Sequence, residues 1–238
     1  EQDWANQGVK LSRATMANWI IRPSHEWLEP LYNVMKKQLV TEPIINADET
    51  VIQVLKEPGK TASAESRMWV YTSGRSPTPT VLFEYQPTRS GQHARRFLEG
   101  FLGYLQTDGY SGYNAVSNVT HCGCWSHMRR KFEEALPKGS DRVGSKAAIG
   151  FDFCNKLFSL EDEWLLLSAT ERNQKRIQHS KPVIDEFWEW ISQLNPLQNS
   201  SLGKAVTYAI NQKETLNNFL LDGRIEISNN RAENAIRP

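Results

Sequence analysis

An α/β chain with a mixed sheet, an all-helical insertion and an N-terminal helical segment is the fold class predicted by this sequence. Three observations carry it. Residues 44–86 hold three short runs rich in β-branched and aromatic side chains, separated by turn residues. The strand signals that follow are each reached through a helical one, and residues 138–222 carry helical stripes with no strand signal at all.

The length of 238 residues suits one large domain or two small ones and is enough to bury a core. With 39% hydrophobic and 23% charged residues the chain belongs with ordinary globular proteins. Its 28 basic and 27 acidic residues leave a net charge of +1, so a nucleic-acid surface has to come from local clustering. Three cysteines make no disulfide framework and read as reduced thiols of a cytoplasmic protein. No apolar run approaches the ~18 residues of a membrane span, and no signal-peptide pattern opens the chain. Secreted, membrane and collagenous classes are excluded.

In chain order, Gly8 precedes Val9, Leu11, Met16, Trp19 and Ile20, with Ser12 placed to cap a short helix. Residues 1–22 thus suit part of a helix-turn-helix with Arg13, Thr15 and Asn18 on its exposed side, or an ordinary amphipathic helix. Leu28, Leu31, Met35 and Leu39 form a stripe on a connecting helix over residues 23–42, which Pro30 kinks or starts. "IINADETVIQVL", "RMWVYTSG" and "PTVLFEYQP" read as antiparallel strands. "SGQHARRFLEGFLG" is a helix capped by Ser90 and ending near Gly103; "YLQTD" is a strand, "VTHCGCW" another, and "SHMRRKFEEAL" a helix. Three stripes follow: Leu157, Leu160, Trp164 and Leu167; Phe187, Trp190, Ile191 and Leu194; Leu202, Val206, Ile210 and Leu220. "DGRIEISNNRAENAIRP" gives a turn, a short extended piece and the start of a helix. This is the element order of a ribonuclease-H-like mixed sheet. Residues 43–137 form its first part, 138–222 the helical insertion, and 223–238 the start of a last core helix.

Three acids stand out: Asp48 in "NADET", Asp108 in "QTDGYSGY" and Glu233 in "NNRAENAIRP". Each has a structural reading. Asp108-Gly109 is a turn dipeptide, Glu233 stands three after Asn230 as in a capping box, and Asp48 suits a bulge or turn. Together they read differently, because the element order puts Asp48 and Asp108 on neighbouring strands and lets a late helix bring Glu233 across the same edge. Clustered carboxylates repel unless a cation neutralises them, and an all-oxygen set suits Mg²⁺ or Mn²⁺. Two such ions activate a water or a 3′-hydroxyl for phosphodiester attack.

"NADET", "LQTDGYSGY", "CWSHMRRKFEEAL" and "GRIEISNNRAENAIRP" resemble, in order, the landmarks of transposases of the insertion sequence 66 family, over nearly the whole chain. The resemblance implies a DDE-type DNA transposase with a ribonuclease-H-like catalytic core. Asp48, Asp108 and Glu233 fall on its three metal-binding carboxylates, with Mg²⁺ or Mn²⁺ as cofactor. It also implies DNA partners (element ends and target), a homo-oligomeric active complex, no membrane, and a place in the bacterial cytoplasm at the nucleoid. Ser228 and Asn234 stand where many members have Asp and Arg. Members begin earlier and continue further, so the chain reads as an internal fragment. Hydrolysis at element ends and strand transfer is the leading function. A nuclease that cuts without joining, and a non-catalytic DNA-binding or oligomerisation relic, are the alternatives.

His121, Cys122, Cys124 and His127 invite a zinc reading, but strand alternation turns His121 away from Cys122 and Cys124, and Cys154 stands alone. Zinc is not expected. The resemblance puts His127 beside the core, where it either touches DNA or serves as an ordinary packed histidine. Arg129, Arg130 and Lys131, with Arg95 and Arg96, are the densest basic groups and candidates for phosphate contact. Asn230, Glu233 and Arg237 share one helix face, which lets Asn230 and Arg237 touch DNA or balance the acids. Trp164, Trp188 and Trp190 read as packing residues.

Overall fold

The structure, a computed structural model, describes residues 1–139 and 143–237. The last letter of the final motif, Pro238, and positions 140–142 within the expected insertion lie outside the described residues.

The sheet is the organising element. Strands β1 (Ile44–Gln53), β2 (Glu65–Ser73), β3 (Val81–Gln86), β4 (Tyr104–Gln106) and β5 (Thr120–Cys122) lie in the order β3-β2-β1-β4-β5. The first three pair antiparallel; β4 and β5 join β1 in parallel. A parallel partner needs a crossover, and the chain supplies helix α4 (Gly91–Phe97) before β4. Ser90 caps α4 through its hydroxyl, which accepts from the N–H of Gln92. That helix ends well before Gly103; Gly100, at φ +86°, turns the chain instead. The result is the ribonuclease-H-like α/β fold expected from the element order.

Alternation along β1 sends Ile45 and Ala47 to one face and Ile44, Asn46 and Asp48 to the other. The first face packs with Trp69, Tyr71 and Leu105 against α4, and the Tyr71 and Phe97 rings stack at 3.7 Å. The second face is covered by helix α5 (Trp125–Glu134) and by α6 (Lys146–Glu163), α8 (Lys181–Ser192) and α9 (Ser201–Asn211), behind which runs α7 (Ala169–Lys175). Trp125, Met128, Phe132, Leu157, Phe187 and Val206 form one core there with Ile44 and Cys122. The helical stretch therefore shares its core with the sheet. Trp164 and Trp188 are buried packing residues, whereas Ile210 is exposed because Ala205, Val206 and Ala209 take the inward face of α9.

At the N-terminus α1 (Gln2–Asn6) and α2 (Arg13–Pro23) flank a turn at Gly8, whose φ is +76°. The chain stays helical beyond α2. It runs through a π-helical turn, Ser24–Leu28, into α3 (Glu29–Leu39). Pro30 has no N–H to give the carbonyl four residues back, so the Glu29 N–H reaches Ser24 O in a wider turn. A second such turn, Arg176–Ser180, stands in the same relation to Pro182. The Leu28–Leu39 stripe meets the sheet only at its end: Leu39 is buried and Met35 packs beside it, while Leu28 and Leu31 are exposed. Trp19, Ile20 and Trp27 are exposed as well.

After α9 come α10 (Lys213–Asn217) and a coiled return to α11 (Asn230–Ile236). The short extended piece expected within "DGRIEISNNRAENAIRP" adds no strand. Two buried arginines shape the return. Arg176 grips both carboxylate oxygens of Glu161 at 2.7 and 2.6 Å and donates to the carbonyls of Phe219, Asp222 and Ile225. Arg172 donates to Gly223 O and to the carbonyls of Trp164, Leu165 and Leu167. Gly223 has to be glycine: a Cβ there would collide with Ala169 O.

Candidate active site

The site lies where β1, the end of β4 and α11 meet. Asp48 projects from the middle of β1, and its Oδ1 accepts from the N–H of Glu49 at 2.9 Å. Asp108 stands two residues past the end of β4, the strand next to β1. Its Oδ1 accepts from the Tyr110 N–H at 2.8 Å, so the turn role is real, and Gly109 supplies the φ of +91°. Tyr208 of α9 donates its hydroxyl to Asp108 O at 3.0 Å.

Glu233 does not close a capping box. Helix α11 starts at Asn230, its N-cap is Asn229, and no side chain caps it. The Glu233 carboxylate is mostly buried, and Oε1 has no hydrogen-bond partner. Around it stand His127 Nδ1 at 3.7 Å, Arg130 at 3.6 Å and Arg237 at 3.4 Å.

The electrostatics tie these acids together. Burial pushes the Asp48 carboxyl up to about 7, opposed by its bond from the Glu49 N–H and reinforced by the negative charges of Asp108, Glu49 and Glu233. Burial lowers His127 below its ordinary value, against the pull of Glu233 and Asp108 and with help from Arg130 and Lys131. The imidazole is therefore mainly neutral at neutral pH.

The donor chemistry fits a hard divalent cation. Asp48 resists ionisation because it is buried and stands among other acids, and Glu233 has a buried oxygen with no donor. Among the described residues, however, the set of three ligand-type atoms lying within 4.8 Å of one another is Cys124, His127 and Glu233, not the three carboxylates. The four residues of the zinc reading divide: Cys122 joins the core and His121 bonds to Val116 O at 3.1 Å, while Cys124 and His127 stay together beside Glu233. Cys124 accepts from the Asn229 N–H at 3.1 Å, and burial pushes its thiol up to about 11.

The basic candidates divide. Arg129, Arg130, Asn230 and Arg237 line, with Glu233, one surface depression of about 250 Å³. The Arg129 guanidinium also lies 5.5 Å from the rings of Phe151 and Phe158, and Lys131 pairs with Glu134 at 3.7 Å. Arg13, Thr15 and Asn18 lie apart on α2. Thr15 serves the Ser12 cap, Arg13 is exposed, and none of the three lines the depression.

Sequence reasoning passed over Glu49, whose buried carboxylate takes bonds from Arg89 at 2.6 Å and the Tyr113 hydroxyl at 2.7 Å on the face opposite Asp48. It also passed over Asn46, Gln106 and Asn229. The signal was available: Asn46 and Gln106 are polar residues inside runs that otherwise read as buried strand.

The fold defines a ribonuclease-H-like protein in which Asp48 lies on β1, Asp108 just past the end of the parallel neighbour β4, and Glu233 on the helix that returns beside them. The family described as "Transposase IS66 family" matches residues 1–238, and the chain belongs to it. It is similar to three uncharacterized proteins of Sinorhizobium fredii (strain NBRC 101917 / NGR234). With y4qI it shares 31% identity over 100% of this chain and 46% of the relative. The corresponding figures are 26%, 97% and 45% for y4hP and 29%, 99% and 48% for y4jD. The chain spans about half the length of these curated relatives. No solved structure matches it. Among the described residues no helix is long and apolar enough to cross a membrane.

Proposed function

We propose that this chain is the catalytic core of a DNA transposase that hydrolyses a phosphodiester at element ends and joins the freed 3′-hydroxyl to target DNA. Asp48, Asp108 and Glu233 are its metal-holding carboxylates. The observation that supports this reading is their convergence from three chain-distant elements, with Asp108 and Glu233 both opposing ionisation of a buried Asp48. Isolated turn and cap acids do not do this. Mg²⁺ or Mn²⁺ bound there supplies Lewis-acid activation of the attacking water or hydroxyl and stabilises the leaving oxygen.

The chain's own part is to place and to balance. Asp48 is fixed by the sheet and Asp108 by its turn. Glu233 lies against Arg130 and Arg237, whose charges balance its carboxylate, and would be the third group to hold the cation. The same two arginines, with Asn230 and Arg129, then offer donors to DNA phosphates beside the acids. His127, neutral beside Glu233, is suited to accept or hand on a proton. DNA ends and target are the partners, and a homo-oligomer is the active form.

Labelled element ends and target DNA test the proposal in the full-length protein. Asp48→Asn, Asp108→Asn and Glu233→Gln should each keep DNA binding, carried by basic residues, while cleaved and joined products fall by orders of magnitude. Cleavage without joining in the unmodified protein would identify a nuclease. A fully active Glu233→Gln variant would remove Glu233 from the reaction.

A further inference from the structure

Three buried amides stand just behind the three carboxylates. Asn46 precedes Asp48 by two residues on β1 and shares its face; Gln106 is the last residue of β4, two before Asp108 in the turn that follows; Asn229 lies four before Glu233, about one helical turn. In the sheet Asn46 is the register partner of Gln106. Asn46 Nδ2 donates to Gln106 Oε1 at 3.0 Å and to Asn229 Oδ1 at 3.2 Å. Gln106 Nε2 donates to Glu226 O at 2.6 Å, on the approach to α11. Asn229 Nδ2 donates to Ala47 O at 2.9 Å, the residue beside Asp48, and its backbone N–H donates to Cys124 Sγ at 3.1 Å. Exposure is 1% for Asn46 and 0% for Gln106 and Asn229.

Asn229 is the informative member. It occupies the N-cap of α11, where asparagine is among the best residues for bonding the helix's own first N–H groups. Here no side-chain cap bond forms. The amide reaches across to β1 instead, so the helix forgoes a local bond for a long-range one. Buried amides also cost desolvation that apolar residues of the same size avoid. What they give in return is register: a one-residue slip of β1 would turn Asp48 to the opposite face and break the bonds of Asn46 and of Ala47 O, and a slip of β4 would break those of Gln106.

We propose that Asn46, Gln106 and Asn229 are positioning residues that lock β1, β4 and α11 together and so set the mutual placement of Asp48, Asp108 and Glu233. The inference rests on the reading of those carboxylates as a metal site. It goes further by assigning the geometry of that site to residues that touch neither metal nor DNA.

Mn²⁺ binding to the full-length protein, followed by electron paramagnetic resonance alongside thermal unfolding, tests this. Asn229→Ser keeps a residue able to cap α11 but too short to hold Ala47 O. Asn46→Ser removes the central donor and leaves room for water. Both should weaken Mn²⁺ tenfold or more while the melting temperature falls by only a few degrees. Asn229→Ser added to Glu233→Gln should weaken it no further, since both act through the same ligand. Should Asn229→Ser fail to unfold cooperatively, Asn46→Ser decides by the same criteria. Wild-type Mn²⁺ affinity in the amide variants, or additivity with Glu233→Gln, overturns the proposal while the carboxylate reading stands. Wild-type affinity in the Asp48→Asn and Glu233→Gln controls overturns both.

Discussion

Replacing Asp48 by Asn should stabilise the metal-free protein, and increasingly so as pH rises. The carboxyl sits at about 7 in the folded chain against an ordinary 3.8, chiefly because burial disfavours its charge. Between those two values the unfolded chain has released its proton and the folded chain retains it, so stability falls as pH rises from about 4 to 7, and the penalty persists above that. At ~1.4 kcal/mol per tenfold in the ionisation constant, the full cost is roughly 4 kcal/mol, of which about 2–3 kcal/mol accrues between pH 5 and pH 8. Asparagine has nearly the same shape, and its Oδ1 can still accept from the Glu49 N–H, but it carries no charge. For a chain of this length ~1 kcal/mol moves the melting temperature by about 2–4 °C. The variant should therefore gain roughly 5–10 °C on the unmodified chain between pH 5 and pH 8 in EDTA. Saturating Mn²⁺ should shrink the gain, because a cation removes the repulsion that the substitution relieves. Parallel melting curves across that pH range would show that Asp48 ionises freely in the folded state and would remove the electrostatic basis of the site.

Metal and scaffold are probed by two further variants. Mn²⁺ at a hundred times its dissociation constant should stabilise the folded chain by about 2.7 kcal/mol, read as a rise in melting temperature, and Asp108→Asn should abolish the rise; a variant that responds fully would leave Asp108 as the turn residue that its bond from Tyr110 also makes it. Arg176→Met leaves the Glu161 carboxylate and the carbonyls of Phe219, Asp222 and Ile225 without their donor, which should cost about 3–5 kcal/mol in thermal or urea unfolding; a loss under about 1 kcal/mol would show that water replaces the guanidinium.

The sheet was legible because its signals are local. "IINADETVIQVL", "RMWVYTSG" and "PTVLFEYQP" carry β-branched and aromatic side chains between turn residues, and they became β1, β2 and β3 to within two residues at each end. The neighbouring of Asp48 and Asp108 followed from element order alone, since the connection through α4 leaves β4 room beside β1. What escaped was non-local. Leu28 and Leu31 have the spacing of a buried stripe, yet they are exposed, and α3 meets the sheet through Tyr32, Met35 and Leu39 instead. Periodicity states which residues share a face and not what covers it. The amides at 46, 106 and 229 read as interruptions because their partners lie tens to hundreds of residues away.

Helix α11 shows why the helical stretch belongs to the site. Seven residues long, with no side-chain cap, it is too short to hold itself in water. It is held by its approach. Arg172 and Arg176, both from the helical stretch, fix the carbonyls of residues 219–225, and the Trp125 N–H donates to Ile227 O at 3.0 Å. Gln106 and Asn229 then tie the last residues before the helix to β4 and β1. The chain leaves the sheet after β5 and returns beside β1, and the helices between also fill the core beneath α5. That connection carries the two guanidinium groups that hold the return. The placement of Glu233 near Asp48 is thus decided as much by residues 161–176 as by the sheet, and changes there should reach the acidic centre without touching it.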